Sequence, residues 1–506
     1  MSVTTLVTFI VYIIGMLLIG VYMYRRTTDL SDYVLGGRSL GPAVAALSAG
    51  ASDMSGWLLL ALPGAIYASG ISESWLGIGL ATGAFLNWQF IARRLRVYTE
   101  VSNNAITIPD FLENRFNDKS RALRVISAIV ILVFFTFYTS SGMVAGAKLF
   151  ESSFGLSYQW ALWIGVLVVV SYTFLGGFLA VVWTDFIQGT LMLLALIAAP
   201  IAAISAFGGW GETVQAVGEL NINHLSMVKG VGAIAIISSL AWGLGYFGQP
   251  HIIVRFMAMR SAKDVPVARF IGTTWMILGL YGAIFTGFVG FAYVASADAS
   301  IFSAQGIEVI MEDGIQVLAD EETIFIVFAQ VLFHPLVAGL ILAAIMSAIM
   351  STVDSQLLVS SSAVAEDFYK GFFRKKASDK ELVWVGRIAT VAIALIAGII
   401  ATNPDSKVLD LVSYAWAGFG ASFGPIIVLS LFWRGITRNG ALWGIIVGAT
   451  TVIIWGDFLS GGIFDLYEMV PGFFLNLIVT IVISKMGKPD EVMTDHFDKT
   501  MEELHK

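Results

Sequence analysis

The chain has 506 residues, of which 57% are hydrophobic and only 13% charged, with a net charge of −7 and a mean hydropathy of +0.82. A soluble globular protein carries about 25% charged residues, so a water-soluble fold is excluded and one membrane domain uses the whole length. Cysteine is absent, which removes disulfide and thiolate chemistry.

Thirteen apolar runs separated by short polar loops predict an all-α polytopic membrane protein. They lie near residues 5–24, 41–68, 74–92, 123–148, 158–176, 180–206, 230–257, 271–296, 335–363, 383–401, 409–432, 439–456 and 467–485. No basic residue precedes the first run and Arg25 and Arg26 follow it, so it reads as an uncleaved helix rather than a signal peptide. A further apolar piece, 323–333, stops before Pro335 and reads as an outer-loop helix. The polar tail after Lys485 is expected to be loosely ordered.

Thirteen spans put the termini on opposite sides. With the N-terminus outside and the C-terminus inside, all of the 29 Lys and Arg residues except Lys148, Lys229 and Lys407 fall inside, as the positive-inside rule requires. These include Arg25, Arg26, Arg38, the runs Arg93 to Arg124 and Arg255 to Arg269, and Arg434 and Arg438. The longest outer loop, 297–323, is acidic.

Two spans are interrupted. The second carries Gly50, Ser52, Ser55 and Gly56 at mid-depth; the seventh reads AWGLGYFGQP over residues 241–250. Backbone that leaves the helix at membrane depth must find partners in protein or line a cavity, and interrupted spans at matching places in two halves point to a transporter's central site. Spans 2–6 and 7–11 form two sets of five with opposite topology. The plainer alternative is that Gly and Ser simply let helices pack closely.

Asp53 lies inside the second run with no basic residue in the same span. An acid at that depth is a functional residue by default. Carbonyls freed by a break, together with hydroxyls, are hard ligands that suit sodium; no His or Cys cluster favours a transition metal. A proton is the competing cation. The ninth span supplies a facing set: Ser347, Ser351 and Ser355 share one helix face, flanked by Thr352 and Asp354, although back-bonding within the helix also accounts for single hydroxyls. Asp185, near the inner start of span 6, is either a second functional acid or a helix cap at the inner surface. Arg38 is either an inner anchor or a gate partner for an acid. Trp57, Tyr138, Trp242 and Tyr246, near the breaks, are candidate pocket walls, while Trp75 and Trp160 suit the membrane interface.

The runs LGGRSLGP, LSAGASDMSGWLL, GFLAVVWTDFIQ, WGLGYFGQPHIIVRFMA, MSTVDSQLLVSSSAVAEDFYK and SYAWAGFGASFGP, spread from about residue 5 to 485, are similar to the sodium/solute symporter family and, within it, to proline-transporting members. The resemblance implies a leucine-transporter-type fold with a 5+5 inverted-repeat core. Segment 1–40 would hold the first span, 41–206 the first repeat and 207–432 the second. Segment 433–486 would hold two accessory helices and 487–506 the tail. It implies sodium as coupling ion, held by carbonyls of Ala51, Met54 and Ala348 and hydroxyls of Ser351 and Thr352, with Asp53 and Asp185 as sodium-linked acids and Arg38 at an inner gate. For the substrate, L-proline, it points to Ser55, Gly56, Trp57, Tyr138, Trp242, Tyr246 and Pro250, with Trp416 to Phe419 as a further wall. It implies an uptake transporter of the bacterial cytoplasmic (inner) membrane, not an enzyme. No organic cofactor or nucleic-acid partner is expected; the partners are proline and the lipid bilayer, and the chain is expected to work as a monomer.

Other solutes, among them a sugar, a carboxylate or another amino acid, are the nearest alternatives, but a sugar site calls for more Asn, Gln and Glu than spans 7 and 11 carry. A channel is disfavoured by the lack of pore-lining rings. An enzyme is disfavoured by the lack of a metal cluster, nucleophile motif or phosphate loop, and a sensor by the lack of a signalling domain after the last span.

Overall fold

The computed structural model describes residues 3–24, 30–175 and 177–505. Arg25 and Arg26, expected on the inner side, lie outside the described residues. Helix occupies each of the thirteen apolar runs. Among the described residues, eight helices are long and apolar enough to cross a membrane, and the bent pair Pro42–Asp53 and Trp57–Ser69 makes a ninth span if taken together.

Several ends differ from expectation. The third helix does not stop at residue 92 but runs on through Arg93–Val101, where an amphipathic turn lets Arg96 bury its guanidinium against the Met259 carbonyl. The ninth, Pro335–Ser362, continues to Phe373. Within the acidic segment 297–323, Val309–Glu312 and Ile315–Leu318 pair as an antiparallel hairpin. Its turn residues Asp313 and Gly314 both have positive φ, 49° and 81°, the Asp-Gly signature of a tight two-residue hairpin. Ile324–Leu332 is the expected outer-loop helix.

The tail is not loose. Glu491–His505 is a helix with Met493, Phe497 and Thr500 buried. It packs on Arg93–Val101, and Arg434 grips Asp498 through two 2.9 Å bonds. Composition alone missed this because the apolar residues of the tail are few and recur only at helical spacing.

At the centre, Pro42–Asp53 packs against Phe178–Ala206, Pro250–Met257, Val265–Ser296 and Pro335–Ser362. The N-terminal helix Val3–Tyr24 and the last pair, Arg438–Phe458 and Met469–Lys485, flank this core.

Candidate functional site

The second span breaks between Asp53 and Trp57, and its two halves meet at 64°. Met54 leaves helical geometry at φ −84°, ψ 73°. Gly56 is needed at the break because a Cβ there would lie 2.6 Å from that of Ala145. The break turns the end of the first half-helix towards the ninth span. There the Ser351 hydroxyl donates to the Ala51 carbonyl at 2.8 Å and the Thr352 hydroxyl to the same oxygen at 3.3 Å; Ser351 also donates to the Ala348 carbonyl at 3.3 Å. Four of the five expected ion ligands therefore converge, and Met54 sits buried at the break itself. All of these oxygens are uncharged and hard, a donor set that fits sodium and not a soft or borderline metal.

Asp53 is buried beside this cluster. Its side-chain partner comes from the other broken span: the Tyr246 hydroxyl donates to Asp53 Oδ2. Asp53 Oδ1 has no hydrogen-bond partner among the described residues. Its main-chain carbonyl accepts from Trp57 Nε1 at 3.2 Å and from the Tyr138 hydroxyl at 3.3 Å. Three residues named from sequence, Trp57, Tyr138 and Tyr246, thus gather around one acid.

The seventh span runs as Ala233–Ala241, a tightly wound stretch Trp242–Gly248, and a half-helix Pro250–Met257. Its displaced backbone is satisfied from neighbouring helices. Asn87 donates to the Tyr246 carbonyl at 2.9 Å and Trp416 Nε1 to the Trp242 carbonyl at 2.8 Å, while Gln249 donates to the Trp416 carbonyl at 3.1 Å. Gly245 is required because a Cβ would lie 2.0 Å from Trp416 Nε1. Trp242 lies 6.4 Å from Trp57 and stacks on Tyr467 at 5.5 Å, and Tyr246 meets Trp416 edge-on at 5.1 Å. Ser55 and Gly56 are buried at the break. Pro250 stands apart: it opens the half-helix and lines a separate narrow fissure with Ile131, Val254 and Leu358.

Asp185 does not cap a helix or face the inner surface. It lies inside Phe178–Ala206, wholly buried, and accepts from Ser48 at 2.6 Å and from Arg255 at 3.2 Å. Among the described residues no acid hydrogen-bonds to Arg38, although Glu100 lies near enough to favour its charge. Arg38 donates to the carbonyls of Met257 at 2.6 Å and Ala105 at 2.8 Å, and to the side chains of Thr99 and Asn104. It thereby ties the segment before span 2 to the ends of spans 3 and 7. Burial, followed by the nearby Arg96, pushes its pKa down to about 10, so it keeps its charge at neutral pH.

Sequence reading missed Asn87 and Gln249, whose signal was a lone amide in an apolar run. It also missed Arg255, which was counted among inner-loop charges and is wholly buried.

Residues 33–448 match the sodium:solute symporter family. The chain belongs to that family. It is 53% identical over 505 residues to the sodium/proline symporter of Salmonella typhimurium, covering 100% of this chain and 97% of that protein. It is also 53% identical over 485 residues to the high-affinity proline transporter of Bacillus subtilis, covering 96% of this chain and 98% of that one. In fold it matches a Na+-coupled sialic acid symporter in a substrate-bound outward-open state, with a TM-score of 0.78 and 20% identity over 96% of this chain and 99% of the other. The architecture is that of the leucine-transporter-type symporters.

Proposed function

We propose that the protein is a secondary active transporter that takes L-proline into a bacterial cell across the cytoplasmic membrane, driven by sodium. The observation that carries this is the meeting of the Ser351 and Thr352 hydroxyls with the Ala51 carbonyl beside the break that holds Asp53. Relatives at 53% identity that carry proline-transporter names support the choice of solute.

In this reading Ala51, Met54, Ala348, Ser351 and Thr352 hold the ion, and Asp53 sets the negative potential around it. Asp185 assists ion exit and Arg38 closes the inner side. Backbone amides at the start of the half-helix around Ser55, Gly56 and Trp57 receive the proline carboxylate, and Trp57, Tyr138, Trp242 and Tyr246 offer faces to the ring and the ammonium. Pro250, which lines a separate fissure, opens the half-helix behind the pocket and is not part of its wall. In this reading the chain works as a monomer. The thirteen helices all cross the membrane, with the N-terminus outside, and segments 41–206 and 207–432 form the two inverted repeats.

Uptake of radiolabelled proline into proteoliposomes tests this. An inward sodium gradient should drive concentrative uptake in the parent, and a matched potassium gradient or the Asp53→Ala variant should not. Equal uptake under both gradients would sink the choice of ion; no proline uptake under any gradient would sink the choice of solute.

A further inference from the structure

Arg255 has no role in the reading above, yet its guanidinium is wholly buried and tied to four segments. Its Nε donates to the Ser48 hydroxyl at 3.1 Å. Its Nη2 reaches Asp185 at 3.2 Å and the Ser355 hydroxyl at 2.6 Å, and its Nη1 donates to the His251 carbonyl at 2.6 Å. The Phe178 ring lies 5.4 Å away. The carboxylates near it are Asp185, which it pairs, and Asp354, which accepts from Ser355 at 3.4 Å.

The positions of these partners matter more than their number. Ser48 lies one turn before Ala51. Ser355 lies one turn after Ser351 and donates to its carbonyl at 2.7 Å. Both contacts are therefore one helical turn from the hydroxyl–carbonyl cluster proposed for sodium. Arg255 itself rides on Pro250–Met257, which the tightly wound stretch Trp242–Gly248 separates from Ala233–Ala241. Short irregular segments of this kind act as hinges, and this one carries Tyr246, the partner of Asp53, and Trp242. The planar fork of one arginine thereby links the turns next to Ala51 and Ser351 to the half-helix that follows Trp242 and Tyr246. A lysine, with a single point of charge, cannot bridge three oxygens in this way.

We infer that Arg255 is the positioning residue that makes sodium and proline binding depend on each other, by joining the half-helix Pro250–Met257 to the helices of Ala51 and Ser351. This rests on the sodium-coupled reading of the site. It is neither an ion ligand nor a substrate contact; it transmits.

The test is equilibrium binding of sodium-22 and tritiated proline to purified protein. Each ligand is titrated with and without saturation by the other, for the parent, for Ser48→Ala/Ser355→Ala and for Arg255→Lys. Both variants leave Asp185 a cationic neighbour, so neither strands a buried carboxylate. In the parent, proline should tighten sodium by a factor within roughly 5- to 150-fold, with the same factor in the reverse direction. In both variants that factor should collapse towards one. A parent-like factor in the variants would overturn the role of Arg255 and leave the sodium-coupled reading standing. A parent in which neither ligand affects the other would overturn both.

Discussion

The Tyr246 hydroxyl donates to Asp53 Oδ2, so the acid of one broken span is held by a phenol of the other. The two interruptions are one structure: the residue that made the second span anomalous is partnered by a residue at the anomaly of the seventh. Tyr246→Phe keeps the ring contact with Trp416 and removes that donor. Loss of a partner from a buried acceptor costs about 1–3 kcal/mol, and the carboxylate loses the contact that fixes its position beside the ion cluster. Half-maximal uptake should require about 10-fold more sodium, since ~1.4 kcal/mol is tenfold. The sodium dependence of initial uptake checks this, and an unchanged sodium requirement would refute it.

Ser351 and Thr352 separate ion binding from solute binding. Ser351→Ala and Thr352→Ala each remove one hydroxyl from the Ala51 carbonyl. Each should weaken sodium by about 10-fold, a loss near the 1–3 kcal/mol expected for an unmet polar group. Proline affinity measured at saturating sodium should return to the parent value. A loss of proline affinity that sodium does not rescue would place these residues in the solute pocket instead.

Arg38 joins the segment before span 2 to Met257, Ala105, Thr99 and Asn104. Arg38→Ala releases all four contacts. Because the chain has no cysteine, a single Ala105→Cys reporter reads the opening cleanly. Its labelling by a maleimide added from the inner side should speed up several-fold in the variant. Equal labelling rates would mean that Arg38 anchors the loop without gating it.

The tail helix is held mainly by packing. Asp498→Ala breaks an exposed ion pair with Arg434, and such pairs contribute at most about 1 kcal/mol. Phe497→Ala empties a buried contact against Tyr98, where a large aromatic truncation costs about 3 kcal/mol. Trypsin should cut after Lys499, within the tail helix, much faster in Phe497→Ala than in the parent, with Asp498→Ala close to the parent. The reverse order would show an electrostatic latch.

The outer turn carries a pH dependence. His224 packs on Phe291 at 4.3 Å, and Gly70, at φ +81°, makes room for it. Burial lowers the His224 pKa below its ordinary 6.5. In the window just below 6.5 the unfolded chain therefore binds more protons than the folded one, so stability rises with pH there and declines on acidification. Amide protection factors around residues 221–226, taken relative to the intrinsic exchange rate at each pH, should fall from pH 7 to pH 5, and His224→Gln should flatten the change. An equal fall in that variant would assign the effect elsewhere.

Asp53, Ser351 and Thr352 were legible in the sequence because polar atoms in long apolar runs are costly and so conspicuous. The break residues were legible because Gly and Pro interrupt helices by their own covalent geometry. The hairpin turn Asp313-Gly314 was readable by the same chemistry and was passed over inside a loop noted only for its charge. Arg255 was not legible, because an arginine near a span end looks like any inner-loop anchor. Asp185 left two readings open for the same reason.

By itself, then, the sequence determined the membrane class, the helix positions, the interrupted spans and the polar residues at depth, since each follows from local hydropathy or backbone chemistry. The tertiary structure alone decided which of those residues meet: Asp53 with Tyr246 across 193 positions, Arg255 with Asp185 across 70, and the tail helix with the third helix. Pairing of that kind depends on how helices cross and rotate against one another, and that is set by the packing of the whole bundle rather than by any run within it.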